Sequence, residues 1–289
     1  TSEKKFEIWL TNMAMEGCAA ATQSQAFNAI LCLYKHVFKT ELKGVNALRP
    51  KRRKTQRHAP SVADISSAFR HVQDTSNYPS RLILHLLYGC GLRVGEGISL
   101  RIKDIDFNNG FLFIHDSKHG KDRYVSIPES LVSPLRHQVE VAAMKARIDI
   151  ATGLPVQMPG TLHKKWKNAP FEVPWHFVFP KLKICDCPRQ KIPVRFHVLD
   201  STLQRSLKKA IKTAGLMVPF TPHHLRHAYA THLIGRGASY KGVSKSMGHS
   251  SVMTTFGYDH TDALEVGSPL DQPKQVIQFP SIEDIAANQ

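Results

Sequence analysis

Long apolar runs, acidic residues and paired cysteines are all scarce in this sequence of 289 residues. No apolar run is long enough to cross a bilayer, so the sequence predicts no transmembrane helix. The cysteines are scattered and odd in number, which argues against a disulfide framework and favours a reducing compartment such as the cytoplasm. They are Cys18, Cys32, Cys90, Cys185 and Cys187. The last two have no second Cys/His pair at ligand spacing, so a zinc site is not expected there.

Motifs of metal- and nucleotide-dependent enzymes are also missing. No GxxxxGK[ST] sequence occurs, so nothing indicates ATP use, and no clustered Asp and Glu residues indicate a two-metal nuclease. His223 and His227 stand four residues apart, but the intervening His-Leu-Arg lacks the Glu that a zinc protease requires. The sequence therefore predicts neither a cofactor nor a metal.

Positive charge, in contrast, is abundant. The 39 Lys and Arg residues against 23 Asp and Glu give a formal net charge of +16 and a pI near 9.7. A surplus of this size attracts a polyanion, and nucleic acid is the usual one. The alternative is a merely basic protein without an anionic partner. The charge favours a nucleoid-associated protein that binds DNA.

Residues 1–49 are predicted to form a small helical domain. Two apolar stripes at helical spacing indicate core packing. The stripes are Phe6, Trp9, Leu10 and Met13, then Phe27, Ile30, Leu31, Tyr34 and Phe38. Two helices are few for an independent domain and the first residue is Thr, so we expect a partial domain that continues upstream.

A basic linker is predicted at residues 50–59. It contains Lys51, Arg52, Arg53 and Lys54 and has no apolar period. Such a run is often simply solvated, but between two domains of a basic chain it is expected to lie along a phosphate backbone.

Residues 60–289 are predicted to form a mainly α domain with a small antiparallel β-sheet, an α+β fold. Ser61 and Asp64 cap its first helix, and Gly89 and Gly91 end the second. Strands at 111–115 and 123–127 flank the turn sequence SKHGK, and helices follow near 131–150 and 199–215. The intervening stretch at about 152–198 is irregular and holds seven prolines.

The segment from Thr221 to His260 carries the most informative polar residues. Thr221 and Pro222 open a helix on which His223 and Arg226, at i and i+3, share a face and can meet one phosphate. GLRVGE and DSKHGKDRYV add further groups upstream. The whole set is Arg93, Glu96, Lys118, His223, Arg226, His249 and Tyr258.

These residue types suit metal-free cleavage of a phosphodiester. The reaction needs an in-line nucleophile, cations that hold the non-bridging oxygens, and an acid for the leaving oxygen. Arginine suits the second task because its planar fork binds two oxygens and stays charged. Lys118 at a hairpin tip can reach a leaving 5′ oxygen, and Tyr258 supplies a phenol that nearby cations favour as phenolate.

GLRVGE, KHGKDR, HHLRHAYATHL and MGHSSVMTTFGYDH together resemble the motifs of tyrosine recombinases, the phage-integrase family, over about residues 60–262. The resemblance implies Tyr258 as nucleophile, Arg93 and Arg226 as phosphate clamp, and Lys118 as general acid. It also implies that His223 assists proton transfer, that His249 binds the phosphate, and that Glu96 supports the site. Members act as tetramers on two DNA sites, so a homotetramer on DNA is expected.

A narrower resemblance is to the integron integrases. PGTLHKKWKNAPFEVPWHFVFP is similar to their additional segment, and residues 2–43 are similar to the later part of their DNA-clamping domain. The resemblance implies contacts to extrahelical bases of folded single-stranded sites as well as to duplex DNA. The residues at the corresponding places are Trp175, Pro180 and His197, and Lys164 and Lys165 of the same segment are expected to bind nucleic acid. The alternative for the tryptophans is packing within the segment.

This sequence departs from the pattern in places. Phe196 stands where integron integrases tend to have a histidine, SYKGVSKSMGH is unusually polar, and FGYDH replaces the commoner IYTH. None of these changes removes a catalytic group. A type IB-like topoisomerase and a catalytically inactive DNA-binding relic remain as alternative functions.

Overall fold

The computed structural model describes residues 2–42, 44–46, 59–75, 78–115, 122–188 and 191–248. The chain divides into two compact units, Thr1–His58 and Ala59–Gln289. Several residues singled out from the sequence lie outside the described residues. They are Lys51, Arg52, Arg53, Lys54, Lys118, His249 and Tyr258.

The described part of the first unit contains two helices, α1 (Ser2–Met15) and α2 (Ala20–His36). Phe6 of α1 stacks on Phe27 of α2 with ring centroids 5.5 Å apart, and Phe6 and Leu10 are buried. Core packing of the whole stripes was a wrong prediction, because Trp9 is 43% exposed and Phe38 is 57% exposed. A pair of helices shields only the side chains on the line where they touch, and Phe38 follows the end of α2.

In its described residues the second unit is mainly helical with two small antiparallel sheets, which confirms the predicted fold class. Its helices are α3 (Val62–Arg70), α4 (Ser80–Gly89), α5 (Val94–Ile98), α6 (Glu129–Ala151), α7 (Leu162–Lys165), α8 (Asp200–Thr213), α9 (Pro222–Gly235) and α10 (Tyr240–Met247). Its strands are β1 (Ile105–Asp106), β2 (Phe111–Ile114), β3 (Arg123–Ser126), β4 (Cys185–Asp186) and β5 (Pro193–Val194).

Helix α4 forms the centre of this unit. All ten of its residues except Arg81 are buried, as its nearly continuous apolar sequence requires. It packs against α5, α6, α8 and α9. The predicted cap of α3 is confirmed, since the Ser61 hydroxyl accepts a hydrogen bond from the Asp64 amide at 3.1 Å. No helix in the described ranges is long and apolar enough to span a membrane.

The three-stranded sheet has the order β1-β2-β3, with antiparallel pairing and Ile114 opposite Arg123. Alternation along the strands buries Leu112, Ile114 and Val125 against the core. Arg123 shares this inner face with Val125, so a charged side chain enters the protein interior. Between β2 and β3, residues 116–121, which include Lys118, lie outside the described residues.

Residues 152–198 are held to the unit by two buried arginines. The Arg101 guanidinium donates to the carbonyls of Gln157, at 2.9 Å, and of Trp175, and lies 4.3 Å from the ring centroid of Phe177. Arg195 binds both carboxylate oxygens of Asp149 at 2.6 Å. The stretch has its own small core, composed of Val156, Met158, Ala169 and Phe177. The irregular sequence thus folds into a fixed attachment.

Candidate active site

Arg93 ends the turn between α4 and α5, and Glu96 lies in the first turn of α5. Gly91 has a φ of +60°, a conformation that favours glycine, and Arg93 directly precedes the first turn of α5. The Glu96 carboxylate accepts hydrogen bonds from the Arg93 amide at 2.8 Å and from Arg93 Nη1 at 2.6 Å. The Arg93 side chain remains 30% exposed, so it is anchored at Glu96 while open to a ligand.

Arg226 of α9 enters the same place from the other side. It is buried, and its Nη1 donates to the Gly91 carbonyl at 2.5 Å and lies 3.7 Å from Glu96 Oε2. Its Nη2 donates to the carbonyl of Met247, at the end of α10. The structure therefore brings together three of the residues singled out from the sequence, namely Arg93, Glu96 and Arg226.

Arg123 is a member of this site that the sequence interpretation missed. Its Nη1 and Nη2 bind the Glu96 carboxylate oxygens at 3.0 and 2.6 Å, and its Nε donates to the Ser246 carbonyl at 2.8 Å. The signal was its place in the strand, because a charged residue in register with inward-facing Val125 requires a buried partner. The identity of that partner could not be read from the sequence.

The electrostatics of the cluster favour an anion. Among the described residues, three arginines contact the one carboxylate of Glu96, so positive charge predominates within this group. Burial opposes ionisation of Glu96, but the hydrogen bonds and charges of Arg123 and Arg93 outweigh it and hold its pKa below the ordinary value of 4.5. Burial lowers the pKa of Arg226 to about 10, partly offset by Glu96, so the guanidinium stays charged at neutral pH.

His223 lies one turn before Arg226 on α9. Its side chain is exposed, whereas that of Arg226 is buried. The start of the helix is fixed by Thr221, whose hydroxyl hydrogen-bonds with His224 Nδ1 at 2.8 Å. His223 is therefore exposed to solvent at the N-terminal end of α9, the end that also carries Arg226.

The end of α10 is tied to the arginine cluster. The Ser246 and Met247 carbonyls accept from Arg123 and Arg226, and the Ser246 hydroxyl hydrogen-bonds with Tyr229 at 3.0 Å. Gly248 then takes a left-handed conformation with φ of +65°. His249 is the next residue in the chain and lies outside the described residues, as does Tyr258.

The predicted nucleic-acid-binding residues of 152–198 are spread over two parts of the attachment. Lys164 and Lys165 are exposed on α7, and the Trp166 and Trp175 ring centroids are 5.4 Å apart. Pro180 and His197 face each other in an isolated antiparallel bridge. Trp175 is half-buried with Lys103 Nζ 4.7 Å from its ring centroid, so it both packs and presents an aromatic edge.

No group of three or more His, Cys, Asp or Glu residues that could hold a metal occurs within the described part of the chain. Cys185 Sγ lies 3.1 Å from Lys181 Nζ, and Cys187 is buried.

Residues 60–265 match the phage integrase family. An integrase/recombinase of Escherichia coli is 36% identical over 273 residues, which span 92% of this chain and 79% of that protein. Tyrosine recombinase XerA of Pyrococcus furiosus is 31% identical over 192 residues, or 66% of this chain and 54% of that protein.

Solved structures agree on the fold. The XerH site-specific recombinase bound to difH substrate has a TM-score of 0.56 at 18% identity, covering 86% of this chain and 65% of that one. A Tn1549 transposon integrase in complex with a circular intermediate DNA has a TM-score of 0.58 at 17% identity, covering 91% and 83%. The chain therefore belongs to the phage integrase family of tyrosine recombinases.

Proposed function

We propose that this tyrosine recombinase cuts and rejoins DNA strands at specific sites through a 3′-phosphotyrosyl intermediate. The observation that carries the proposal is the convergence of Arg93 and Arg226, from two separate helical segments, on the single carboxylate of Glu96. The positive charge of this cluster complements the negative charge that builds up on the non-bridging oxygens in the transition state of phosphodiester cleavage.

In the proposed reaction the phenolic oxygen of Tyr258 attacks the phosphorus atom, and the bond from phosphorus to the 5′ oxygen breaks. His223 assists the removal of the phenolic proton, and Lys118 donates a proton to the departing 5′ oxygen. Arg93 and Arg226 hold the non-bridging oxygens, with His249 adding a hydrogen bond. A 5′ hydroxyl of a second strand then attacks the phosphotyrosine and reverses the steps, so the exchange conserves the ester bond without an external energy source.

A duplex suicide substrate, nicked so that cleavage releases a short fragment, tests this reaction. We expect a covalent DNA adduct with the wild-type chain and none with Tyr258→Phe. An adduct that persists in the variant would refute Tyr258 as nucleophile. Tight binding without any adduct would instead indicate an inactive DNA-binding protein, and relaxation of a supercoiled plasmid that carries no site would indicate a topoisomerase.

We further propose the integron type of recombinase, which uses residues 152–198 to hold extrahelical bases of folded single-stranded sites. The support is the rigid mounting of this attachment by Arg101 and Arg195, together with the partly exposed Trp166–Trp175 pair and the neighbouring lysines. Lys164, Lys165, Trp175, Pro180 and His197 are the proposed contacts. A fixed aromatic surface loses little entropy when a base stacks on it.

Comparison of a folded hairpin site with its perfect duplex tests this finer proposal. Trp175→Ala should slow recombination of the folded site by about 5- to 150-fold, because base stacking contributes about 1–3 kcal/mol, and should spare the duplex. Phe171→Ala is the matched control, since Phe171 is an exposed aromatic of the same attachment. Equal losses on both substrates, or better activity on duplex alone, would contradict the integron type.

The proposed assembly is a homotetramer on two DNA sites. Recombination joins four strands, so four nucleophiles must act within one complex. Light scattering of the chain mixed with duplex sites should give four protomers per two duplexes. Complexes that stop at one protomer per duplex would contradict strand exchange.

A further inference from the structure

We infer that Arg123 is a positioning residue for strand transfer. Its single guanidinium group fixes the orientation of the arginine clamp, formed by Arg93 and Arg226, and the position of the end of α10. This inference rests on the proposed function. Arg123 is not expected to touch DNA, because its side chain is only 6% exposed and all three of its guanidinium nitrogens are already engaged within the protein.

The first consequence of this arrangement concerns Glu96. Arg123 binds both carboxylate oxygens of Glu96, which fixes the plane of the carboxylate. The same two oxygens carry the contacts to the Arg93 amide and guanidinium, and Arg226 lies 3.7 Å away. The direction in which Arg93 projects from the start of α5 therefore depends on Arg123.

The second consequence concerns the backbone just before His249. Arg123 and Arg226 bind the consecutive carbonyls of Ser246 and Met247. A Cβ on Gly248 would lie 3.2 Å from Cδ of Arg123, so the left-handed turn and the arginine stem fit closely against each other. The end of α10 is thus held by the side chains of Arg123 and Arg226, two members of the arginine cluster.

The third consequence concerns the place of Arg123 in the sheet. Arg123 begins β3 opposite Ile114, the last residue of β2. The residue that orders the clamp is therefore itself held by the strand pairing. Chemically, a buried ion pair contributes little net stability over apolar packing, but it fixes orientation, and orientation is what an in-line displacement requires.

The test compares Arg123→Met and Arg123→Lys with Arg195→Met. Arg195 is the matched control, because it makes an equally buried two-pronged pair with Asp149 in another part of the unit. Each variant is measured for urea unfolding, duplex affinity and single-turnover cleavage of the suicide substrate. A displacement of the clamp by about 1 Å slows the reaction on the order of 100-fold, and we expect this loss in Arg123→Met with unchanged affinity.

Arg123→Lys should recover part of the rate, because an ammonium group keeps the charge but cannot make three directed contacts at once. Arg195→Met should lose similar stability and keep the cleavage rate on duplex. A cleavage rate in Arg123→Met equal to that of the wild type would overturn the inference. A loss of rate in Arg195→Met as large as that in Arg123→Met would also overturn it, because the loss would then follow from a general loss of stability.

A substrate with sulfur in place of the bridging 5′ oxygen adds a second readout, because a thiolate leaves without protonation. Lys118→Ala should recover on this substrate, whereas Arg123→Met should stay slow since the clamp is displaced as well. Full recovery of Arg123→Met would overturn the link to the clamp. A wild-type chain that forms no adduct on any site would refute the proposed function and, with it, this inference. An active wild type together with an Arg123→Met variant of unchanged rate would refute the inference alone.

Discussion

The ring of Tyr229 occupies the space that a side chain on Gly91 would need. A Cβ on Gly91 would lie 2.5 Å from Cδ1 of Tyr229, and Gly91 already has a φ of +60°. Its carbonyl accepts the hydrogen bond from Arg226 at 2.5 Å. The absence of a side chain at this position therefore lets α9 approach the α4–α5 turn, and that approach delivers Arg226 to Glu96.

Substitution of Gly91 should consequently damage stability and chemistry together. Gly91→Ala combines left-handed strain of about 1–2 kcal/mol with overpacking of about 1–3 kcal/mol. Gly215→Ala is the matched control, because Gly215 has a φ of +67° and nothing within 4 Å of its Cβ position. Urea unfolding should show the larger loss at Gly91, and DNA cleavage should fall only there. Equal losses of stability would contradict the steric account.

Glu96→Gln should reveal how much the arginine cluster depends on one negative charge. Removal of the charge leaves the buried guanidinium groups of Arg123 and Arg226 without the negative charge of the carboxylate that they contact, a change that typically costs about 3–5 kcal/mol. The folded-state pKa of Glu96 is lowered from 4.5, so its stabilisation is present above pH 4.5 and is lost as the pH falls through the folded value. The stability gap between wild type and variant, measured by urea unfolding, should narrow below pH 4.5. A gap that stays constant down to pH 3 would contradict this role.

Much of the site was predictable because its residues occur in short local motifs. GLRVGE placed Arg93 and Glu96 within one helical turn, and the capping signal of Thr221 and Pro222 placed Arg226 on a helix. Convergence of Arg226 on Glu96 was only implied by the family resemblance, because it depends on the packing of α9 against α4. Local sequence carries no information on that distance.

What escaped prediction are the contacts made across long sequence separations by buried arginines. Arg123 meets Glu96 27 residues away and Ser246 123 residues away. Arg101 donates to the carbonyl of Trp175, 74 residues away. Because this contact cannot be read from local sequence, the sequence of 152–198 did not indicate how the stretch is attached. A buried arginine requires a partner, but the tertiary packing determines which residue that partner is.

Arg226→Lys should separate phosphate stabilisation from DNA binding. Lysine keeps the charge but cannot span the Gly91 and Met247 carbonyls and still present a planar fork to a phosphate. Loss of a directed donor in the transition state lowers the single-turnover rate by about 100- to 1,000-fold, with little change in duplex affinity. Arg136→Lys on the exposed side of α6, where Arg136 lies over the Phe107 ring, is the control and should leave the rate unchanged. A similar loss of duplex affinity in Arg226→Lys would mean that this arginine acts mainly in binding.

His176 should make folding sensitive to mild acid. It is buried, and its Nε2 has no hydrogen-bond partner among the described residues. Burial lowers its pKa from 6.5 to about 4. The charge of Asp149 opposes this shift, and the charges of Arg101 and Arg195 add to it. The unfolded chain therefore takes up a proton first as the pH falls below 6.5. Stability declines from there to about pH 4, by up to about 3 kcal/mol.

His85 contributes over an overlapping range, because burial lowers its pKa to about 3. His176→Leu should flatten the dependence of the free energy of unfolding on pH between 6.5 and 4 but leave the part due to His85. His137→Leu, at an exposed position on α6, is the matched control and should keep the wild-type profile. Urea titrations at half-unit steps of pH measure the profiles of both variants. A His176→Leu profile parallel to that of the wild type would contradict the prediction, because it would show that His176 is protonated in the folded protein as readily as in the unfolded one.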